Sequence, residues 1–450
     1  MENQFYFDLV SKHREKILEA ERYIWEHPES GFKEWNTSAY MAKIFEDAGY
    51  TLTYAGDIPG FYTDLDTGKP GPKILIMGEL DALVAPTHPE AWNNCAHACG
   101  HNAQCAGLVG IALALKEPGA LDGLCGSIRL MAVPAEELIE TDYRDSLREQ
   151  GLIHYLGGKV EYMYRGYMDD VDISFMIHTG SRTPENSHIV FSCNKGANGC
   201  MAKNIAYKGM ASHAGGSPHN GINAMYAATL GLNAINALRE TFRDEDKIRV
   251  HPIMEANGSA VNIIPAKATV NTFVRGTSMD AIVAANKKVT RALASGALAM
   301  GAEVFVSDRP GYAPLLNSPE LMEVAKECMI AVAGENAVSF DDKMGGGSTD
   351  MGDLSTVIPS MHPHVAGARG KGHGDDYGIE DPETACVKSA QCQVLMAVEL
   401  LKDNAAKAKY VIENFKPVYP SIQAYFEAVD QLMSDRDLVK YTENGAEVVF

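Results

Sequence analysis

The sequence has little positive charge for its length. Lys and Arg number 39 among 450 residues, against 59 Asp and Glu, so the formal net charge is −20 at pH 7. Nucleic acids and anionic membranes bind surfaces that carry excess positive charge. We therefore expect no nucleic acid and no membrane among the partners. A small-molecule substrate stays open, because a pocket can be locally basic.

Long apolar runs and an export signal are also absent from the sequence. No stretch of about 18 apolar residues occurs, so no transmembrane helix is predicted. Residues 1–30 lack the basic start and apolar segment of a signal peptide. The nine cysteines follow no regular spacing. We therefore predict reduced thiols and a cytoplasmic location.

Strands and helices alternate in the first part of the chain. Short apolar runs predict strands at 73–78, 127–133 and 172–177, and helical spacing predicts helices at 9–26 and 103–116. This alternation is typical of an α/β fold. We predict a mixed, mostly parallel sheet flanked by helices.

The pattern changes near residue 194, which indicates a second domain. Up to about residue 307, strands at 203–209, 266–275 and 302–306 alternate with helices at 220–239 and 279–300. That content is typical of an inserted α+β domain, and the length of the chain also favours two domains. We predict domain bounds of 1–192, 193–307 and 308–450. The third segment completes the first domain and ends, from about residue 405, in a helical extension.

A cysteine and a histidine stand two residues apart in a loop between a predicted strand and a predicted helix. Cys99 and His101 can therefore point at one ion. A thiolate and an imidazole are strong ligands for zinc and neighbouring metals. On this motif alone, a glycine-rich turn with a buried cysteine remains an equal alternative.

Two adjacent carboxylates, Glu136 and Glu137, follow the predicted strand that ends at Val133. Adjacent carboxylates repel each other unless positive charge compensates them. A division of roles relieves this repulsion, with one carboxylate binding metal and the other acting as a base on a metal-bound water. The alternative is a solvated surface pair.

Two further histidines stand at places where a site can form. His178 follows the predicted strand at 172–177, and His373 lies between two glycines. Taken singly, either histidine could be structural. Together with the two earlier motifs they supply one thiol, three imidazoles and a carboxylate. Two metal ions about 3.5–4 Å apart can activate water and polarise a carbonyl, as amide hydrolysis requires.

The series of motifs resembles a known metallopeptidase family, that of the aminoacylases, carboxypeptidase G and the auxin-conjugate amidohydrolases. Within it, the chain is similar to the branch of aminobenzoyl-glutamate hydrolase and the Xaa-Arg (β-alanyl-lysine) dipeptidases. The resemblance covers about residues 5 to 400. The motifs that carry it are 27–34 (HPESGFKE), 78–83 (GELDAL), 97–102 (HACGHN), 134–137 (PAEE), 157–159 (GGK), 169–173 (DDVDI), 211–214 (ASHA), 261–265 (VNIIP) and 348–350 (STD).

The resemblance implies a role for each candidate residue of the first domain. The implied metal ligands are Cys99, which would bridge two ions, His101, Glu137, His178 and His373. Glu136 would be the general base and later the proton donor to the leaving amine. Asp81 would orient a ligand histidine. The implied cofactor is a pair of divalent ions, zinc or manganese, with cobalt and nickel also compatible with these ligands.

The resemblance also implies a zinc-peptidase-like fold whose inserted domain serves as a lid and forms a homodimer. His213 would polarise the scissile carbonyl or stabilise its oxyanion, within one chain or across the dimer. Asn262 and Arg275 would hold a substrate carboxylate, which the fork of a guanidinium matches. From the sequence alone, a helix-capping or surface role for His213 is the stronger interpretation.

The sequence departs from the family pattern at two places before its C-terminal extension. Position 102 is Asn where many relatives have Asp. Residues 138–156 form an acidic, polar insertion, which we expect to be a loop near the pocket that shapes substrate choice.

The function that these motifs predict is metal-dependent hydrolysis of an amide bond. N-acyl amino acids, N-aryl amino acids and dipeptides all fit as substrates. Two alternatives remain open, a hydrolytic deaminase or ureido-hydrolase that uses the same metal site, and a non-catalytic partner subunit of a related hydrolase.

Overall fold

The structure is a computed structural model that describes residues 2–256, 258 and 260–450. The chain divides into two compact units. The larger unit comprises the described residues of Met1–Gly196, Leu315–Gly345 and Thr349–Ile422. The smaller unit comprises the described residues of Ala197–Pro314, Gly346–Ser348 and Gln423–Phe450.

The secondary structure alternates between helices and strands along most of the chain. The α-helices are α1 (Glu2–Lys12), α2 (Arg14–Glu26), α3 (Trp35–Asp47), α4 (His101–Leu115), α5 (Thr141–Glu149), α6 (Gly158–Tyr164), α7 (Ala224–Leu238), α8 (Met279–Met300), α9 (Pro319–Ala333), α10 (Met351–Ser355), α11 (Ser389–Asn414) and α12 (Ile422–Asp430). The strands are β1 (Thr53–Tyr54), β2 (Phe61–Asp66), β3 (Lys73–Glu79), β4 (Leu83–Val84), β5 (Cys95–Ala96), β6 (Ser127–Val133), β7 (Ile173–Phe175), β8 (His178–Ser181), β9 (Phe191–Cys193), β10 (Gly196–Ala197), β11 (Gly199–Lys208), β12 (Arg249–Val250), β13 (Ile253–Ala256), β14 (Lys267–Gly276), β15 (Glu303–Pro310), β16 (Leu315–Leu316), β17 (Val338–Phe340), β18 (Met344–Gly345), β19 (Ser360–Met361), β20 (His364–Arg369), β21 (Gly378–Ile379), β22 (Ser434–Thr442) and β23 (Gly445–Val448).

A six-stranded sheet forms the centre of the larger unit, in the order β1-β2-β6-β3-β7-β19. Strand β3 runs parallel to both β6 and β7, and β7 runs parallel to β19. Strand β2 pairs antiparallel with β6. The sheet is thus mixed with a parallel centre, as predicted. The strands β3 and β6 are buried on both faces, which explains why they read as continuous apolar runs.

Helix α4 packs against this sheet with nearly all of its residues buried. Its small residues allow close approach, and at Gly110 an added Cβ would lie 2.5 Å from the Ile17 side chain of α2. The helix predicted at 9–26 is interrupted, because α1 ends at Lys12 and α2 begins at Arg14. Among the described helices, none has the length and apolar character that crossing a bilayer requires.

The smaller unit combines an antiparallel sheet with helices α7 and α8 and nearly all of α12. The sheet has the order β12-β14-β11-β15-β22-β23, and β13 also pairs with β14. Helices α7 and α8 pack against each other and share an apolar core with the sheet. Every second residue of β14 is buried, as expected for a sheet covered on one face. Helix α8 has the predicted bounds.

The C-terminal region differs from the prediction of a helical extension. Helix α11 is interrupted by non-helical backbone at Lys402–Ala405, and α12 ends at Asp430. Beyond it the chain forms β22 and β23, and β22 pairs with β15 of the smaller unit. The extension is therefore helical only in its first part. Leu438 and Val439 of β22 are buried in the core of the smaller unit.

Candidate metal centre

The candidate ligands lie where elements of the central sheet end. Glu137 follows β6, His178 begins β8 shortly after β7, and His101 is the first residue of α4. Because β3, β6 and β7 are parallel, their carboxyl ends lie at one edge of the sheet. Sites in open α/β sheets form at this edge.

The structure brings the five predicted ligands together. The sulfur of Cys99 lies 3.3 Å from Nε2 of His178, and Nε2 of His373 lies 3.2 Å from Oε1 of Glu137. The potential ligand atoms of Cys99, His101 and His178 lie within 4.8 Å of one another, as do those of Cys99, Glu137 and His373. Cys99 belongs to both groups, so its sulfur is placed where it could bridge two ions.

The residues present fit a pair of divalent cations. Thiol, imidazole and carboxylate form the mixed donor set that zinc and related metals accept. Among the described residues, Nε2 of His101 and Oε1 of Glu137 are buried and make no hydrogen bond of good geometry, although Glu79 and His373 each lie 3.2 Å from one of them. Buried polar atoms normally have a partner, so both atoms are available to a cation.

Negative charge dominates the surroundings of these ligands. Four buried carboxylates accompany Glu137, and they belong to Glu79, Asp81, Glu136 and Asp350. Burial, together with the charges of Glu79 and Glu137, raises the pKa of Glu136 well above its usual value. Burial and Glu137 likewise raise the pKa of the Cys99 thiol. Cations at this place would favour the ionised forms of both groups.

Asp81 holds one ligand histidine in a defined orientation. The Nδ1 atom of His101 donates to the backbone carbonyl of Asp81 (2.9 Å) and lies 3.3 Å from its Oδ1. With the proton on Nδ1, the Nε2 atom of His101 is left available to bind a metal. The Oδ2 atom of Asp81 accepts the backbone N–H of Glu137 at 2.8 Å. Asp81 thus contacts two candidate ligands at once.

A group of buried ion pairs lies behind the candidate ligands, and the sequence-based prediction gave it no role. Lys159 lies fully buried, and its Nζ donates to both Glu79 and Asp350. The other oxygen of Glu79 lies 3.2 Å from Nε2 of His101. The position of Glu79 at the end of the apolar strand β3 was a signal for this carboxylate, but no such signal marked Lys159.

Two further histidines lie beside His178 and were also missed. The ring centroids of His362 and His364 lie 5.6 and 5.4 Å from that of His178. Burial lowers the pKa of His362 to about 3, so its ring is neutral at pH 7. The His-Pro-His sequence at 362–364 was the available signal.

The insertion at 138–156 is not the loop that we expected, because it contains helix α5. The buried guanidinium of Arg144 anchors it. This group donates to the carbonyl of Leu156 at 2.6 Å and to the carbonyl of Glu137. It also lies over the ring of Phe32, 5.5 Å from the centroid. The polar sequence of the insertion concealed several residues that pack inward, among them the charged Arg144.

The neighbourhood of position 102 accounts for its Asn. The side-chain amide of Asn102 donates to the carboxylate of Glu21 at 2.8 Å, and both residues are buried. Burial raises the pKa of Glu21 to about 7. An Asp at position 102 would place a second carboxylate against Glu21, which the buried setting disfavours.

The other three candidate residues belong to the smaller unit. His213 is exposed directly before a turn, not at a helix end, and its Nδ1 accepts the backbone N–H groups of Gly215 (3.1 Å) and Gly216 (2.9 Å). Its ring proton is therefore on Nε2, which can donate a hydrogen bond. The backbone carbonyl of Asn262 accepts a hydrogen bond from the backbone N–H of Ala214, the residue after His213, at 2.8 Å. Arg275 lies near the end of β14, with its guanidinium 5.4 Å from the ring centroid of Phe273.

Comparison with known proteins shows similarity over most of the chain. Residues 75–399 match the family model described as Peptidase family M20/M25/M40. The chain is 30% identical to one of the subunits of p-aminobenzoyl-glutamate hydrolase from Escherichia coli (strain K12) over 309 residues, which cover 66% of this chain and 58% of that protein. It is 26% identical to the Xaa-Arg dipeptidase of Mus musculus over 414 residues, which cover 87% of each chain.

Solved structures share the fold. The Bacillus subtilis YXEP protein, a dinuclear metal binding peptidase, superposes with a TM-score of 0.65 at 19% identity, over 87% of this chain and 99% of that chain. An aminobenzoyl-glutamate utilization protein from Klebsiella pneumoniae gives a TM-score of 0.65 at 20% identity, over 87% and 97%. These similarities confirm the predicted fold class.

Proposed function

The chain belongs to peptidase family M20/M25/M40 and is a hydrolase of amide bonds, and we propose that it uses two divalent metal ions to do so. The proposed substrates are N-acyl amino acids, N-aryl amino acids and dipeptides. The E. coli relative named for p-aminobenzoyl-glutamate and the mouse relative named as an Xaa-Arg dipeptidase support this range.

One observation carries the proposal. Ligand atoms of five residues from four separate segments of the chain meet in two groups that share the sulfur of Cys99. The residues that would hold the ions are Cys99, His101, Glu137, His178 and His373. We propose zinc or manganese, with cobalt and nickel as alternatives. Ions bound there would polarise the scissile carbonyl and lower the pKa of water to roughly 7.

We assign proton transfer to Glu136. It lies beside the ligand Glu137, and one of its carboxylate oxygens lies 3.9 Å from Nε2 of His101. A raised pKa gives this carboxylate the basicity to take a proton from the attacking water. The same group can then return the proton to the nitrogen of the leaving amine. Asp81 keeps His101 in the tautomer that leaves Nε2 available.

Three residues of the smaller unit would contact the substrate. His213 would donate its Nε2 proton to the oxygen of the scissile carbonyl, which carries negative charge in the transition state. Two backbone amides bind its Nδ1, and they support this tautomer. Asn262 and Arg275 would hold the carboxylate of the substrate, to which a guanidinium can donate two hydrogen bonds.

We propose a homodimer that assembles through the smaller unit. Two of the E. coli relatives are named as different subunits of one hydrolase, which favours an alternative, a complex of this chain with a related chain. The presence of Glu136 and all five candidate ligands supports a catalytic chain in either case. Light scattering of the purified chain separates the alternatives, since a stable monomer would contradict the homodimer.

We propose that the protein works in the cytoplasm. All nine cysteines are free thiols, and Cys99 must stay reduced to bind metal. Reducing compartments maintain such thiols. Fractionation of the source cells, followed by immunodetection of this chain, tests the location.

A hydrolysis screen after metal removal tests the function. The protein is dialysed against a chelator and then supplied with zinc, manganese, cobalt or nickel. Each form is assayed against N-acetyl amino acids, p-aminobenzoyl-glutamate and dipeptides. We expect no turnover after chelation and recovery with at least one metal. Full activity after complete metal removal would refute the proposal.

A further inference from the structure

A lysine lies fully buried behind the candidate metal ligands. The Nζ atom of Lys159 contacts one oxygen of Glu79 and one oxygen of Asp350, and its backbone N–H donates to the other oxygen of Asp350 at 2.9 Å. Lys159 has no solvent exposure. Its ammonium therefore cannot move to another partner without breaking buried ion pairs.

The position of Lys159 is fixed by the backbone around it. At the preceding Gly158, an added Cβ would lie 1.6 Å from the carbonyl oxygen of Pro134. The N–H of Gly158 donates to the carbonyl of Ala135 at 3.1 Å. Helix α6 thus begins directly against the segment that carries Glu136. The ammonium and the proposed base are placed by one local packing arrangement.

Glu136 belongs to the same group of carboxylates. Oxygen atoms of Glu79, Glu136 and Asp350 lie within 4.8 Å of one another, which is close enough for one ion to bind all three. Lys159 already contacts two of the three. Hard divalent ions such as Mg²⁺ and Mn²⁺ prefer carboxylate ligands of this kind.

We propose that Lys159 is a positioning residue that acts as a fixed internal cation and keeps Glu136 out of a third metal site. This inference rests on the proposed function of Glu136 as the base. The ammonium contacts and neutralises Glu79 and Asp350. A divalent ion in its place would take Glu136 as a ligand, and a carboxylate bound to a cation is a weaker base.

The substitution Lys159→Met tests the inference, with Lys203→Met as the matched control. Lys203 is equally buried, and its Nζ contacts Asp308 and Thr290 within the smaller unit. Both variants lose a buried ammonium, but only one loses it beside Glu136. Bound manganese per chain is measured by elemental analysis, and kcat and KM are measured separately.

We expect Lys159→Met to bind one additional manganese ion per chain. Its kcat should fall at least about 10-fold, because a base bound to a cation keeps only part of the roughly 100- to 10,000-fold that general-base catalysis contributes, with KM nearly unchanged. The double variant Glu79→Gln/Lys159→Met should lose the additional ion, because one of its ligands is gone. The control Lys203→Met should keep the metal content and kcat of the wild type. Wild-type metal content together with wild-type kcat in Lys159→Met would overturn the inference.

Two further measurements keep the test decisive. If Lys159→Met does not fold, Lys159→Gln is measured instead, because its neutral amide can still donate to Glu79 or Asp350 while all three carboxylates remain, and wild-type metal content together with wild-type kcat in that variant overturns the inference. Failure of the proposed function has a different signature. It would appear as wild-type turnover in Glu136→Gln, whatever the metal content of the Lys159 variants.

Discussion

The substitution Asp81→Asn should weaken metal binding without unfolding the protein. The carboxylate of Asp81 faces two donors, the backbone N–H of Glu137 at 2.8 Å and Nδ1 of His101 at 3.3 Å. An asparagine has nearly the same shape but only one oxygen. In either orientation of the amide, its NH₂ group would therefore face a buried N–H.

The size of the effect follows from the contacts. A buried donor without an acceptor costs roughly 1–3 kcal/mol. At 1.4 kcal/mol per tenfold, this corresponds to about 5- to 150-fold in metal affinity. The backbone carbonyl of Asp81 still accepts from His101 at 2.9 Å, so the histidine keeps one partner. We therefore expect a loss of about 10- to 100-fold, the range typical for residues that orient metal ligands.

Competition with a chromogenic chelator measures the affinity of the wild type and of Asp81→Asn for zinc. The variant Asp64→Asn is the control, because Asp64 pairs with Lys73 and Arg129 away from the candidate ligands. The control should bind zinc like the wild type. If a folded Asp81→Asn protein binds zinc with wild-type affinity, then Asp81 does not orient a ligand.

Three further predictions concern proton transfer, pH and packing. Glu136→Gln should lower kcat at least about 100-fold with the metal content unchanged, whereas Glu117→Gln should not; near-normal turnover would contradict the role. Burial raises the pKa of Glu21 from 4.5 to about 7, so the folded protein loses stability as the pH rises through this interval. The substitution Glu21→Gln should therefore stabilise the folded protein by on the order of 3 kcal/mol at pH 8 but not at pH 4. Equal shifts in melting temperature at both pH values would refute this. Arg144→Met should lower the free energy of unfolding in urea by about 2–6 kcal/mol, because two buried carbonyls each lose a donor at about 1–3 kcal/mol, and an unchanged midpoint would refute its anchoring role.

Local sequence patterns predicted most elements of the fold. Strands β3 and β6 could be predicted because they are apolar along their length, as strands buried on both faces are. Helix α8 has the predicted bounds, since the Ser278 side chain caps its start and Gly301 ends it in a left-handed conformation. The C-terminal strands were not predicted. The pairing of β22 with β15 is a contact between residues more than a hundred positions apart.

The candidate ligands could be named from the sequence because metal chemistry restricts residue types. A thiol, imidazoles and carboxylates at strand ends, in the order of a known family, identified Cys99, His101, Glu137, His178 and His373. The same reasoning could not find the buried ion pairs of Lys159 with Glu79 and Asp350, although these residues lie in the same motifs. A lysine in a sequence is normally solvated, and nothing local marks this one as an internal cation.

The sequence by itself determined which elements form and which residue types are available for chemistry, because propensity, apolar spacing and ligand chemistry are local properties. Only the tertiary structure decided which of these groups face one another. The parallel pairing of β3, β6 and β7 brings strand ends from distant parts of the chain to one edge. Burial at that edge then sets the pKa values and charge balance, which depend on distances in space and not on positions in the sequence.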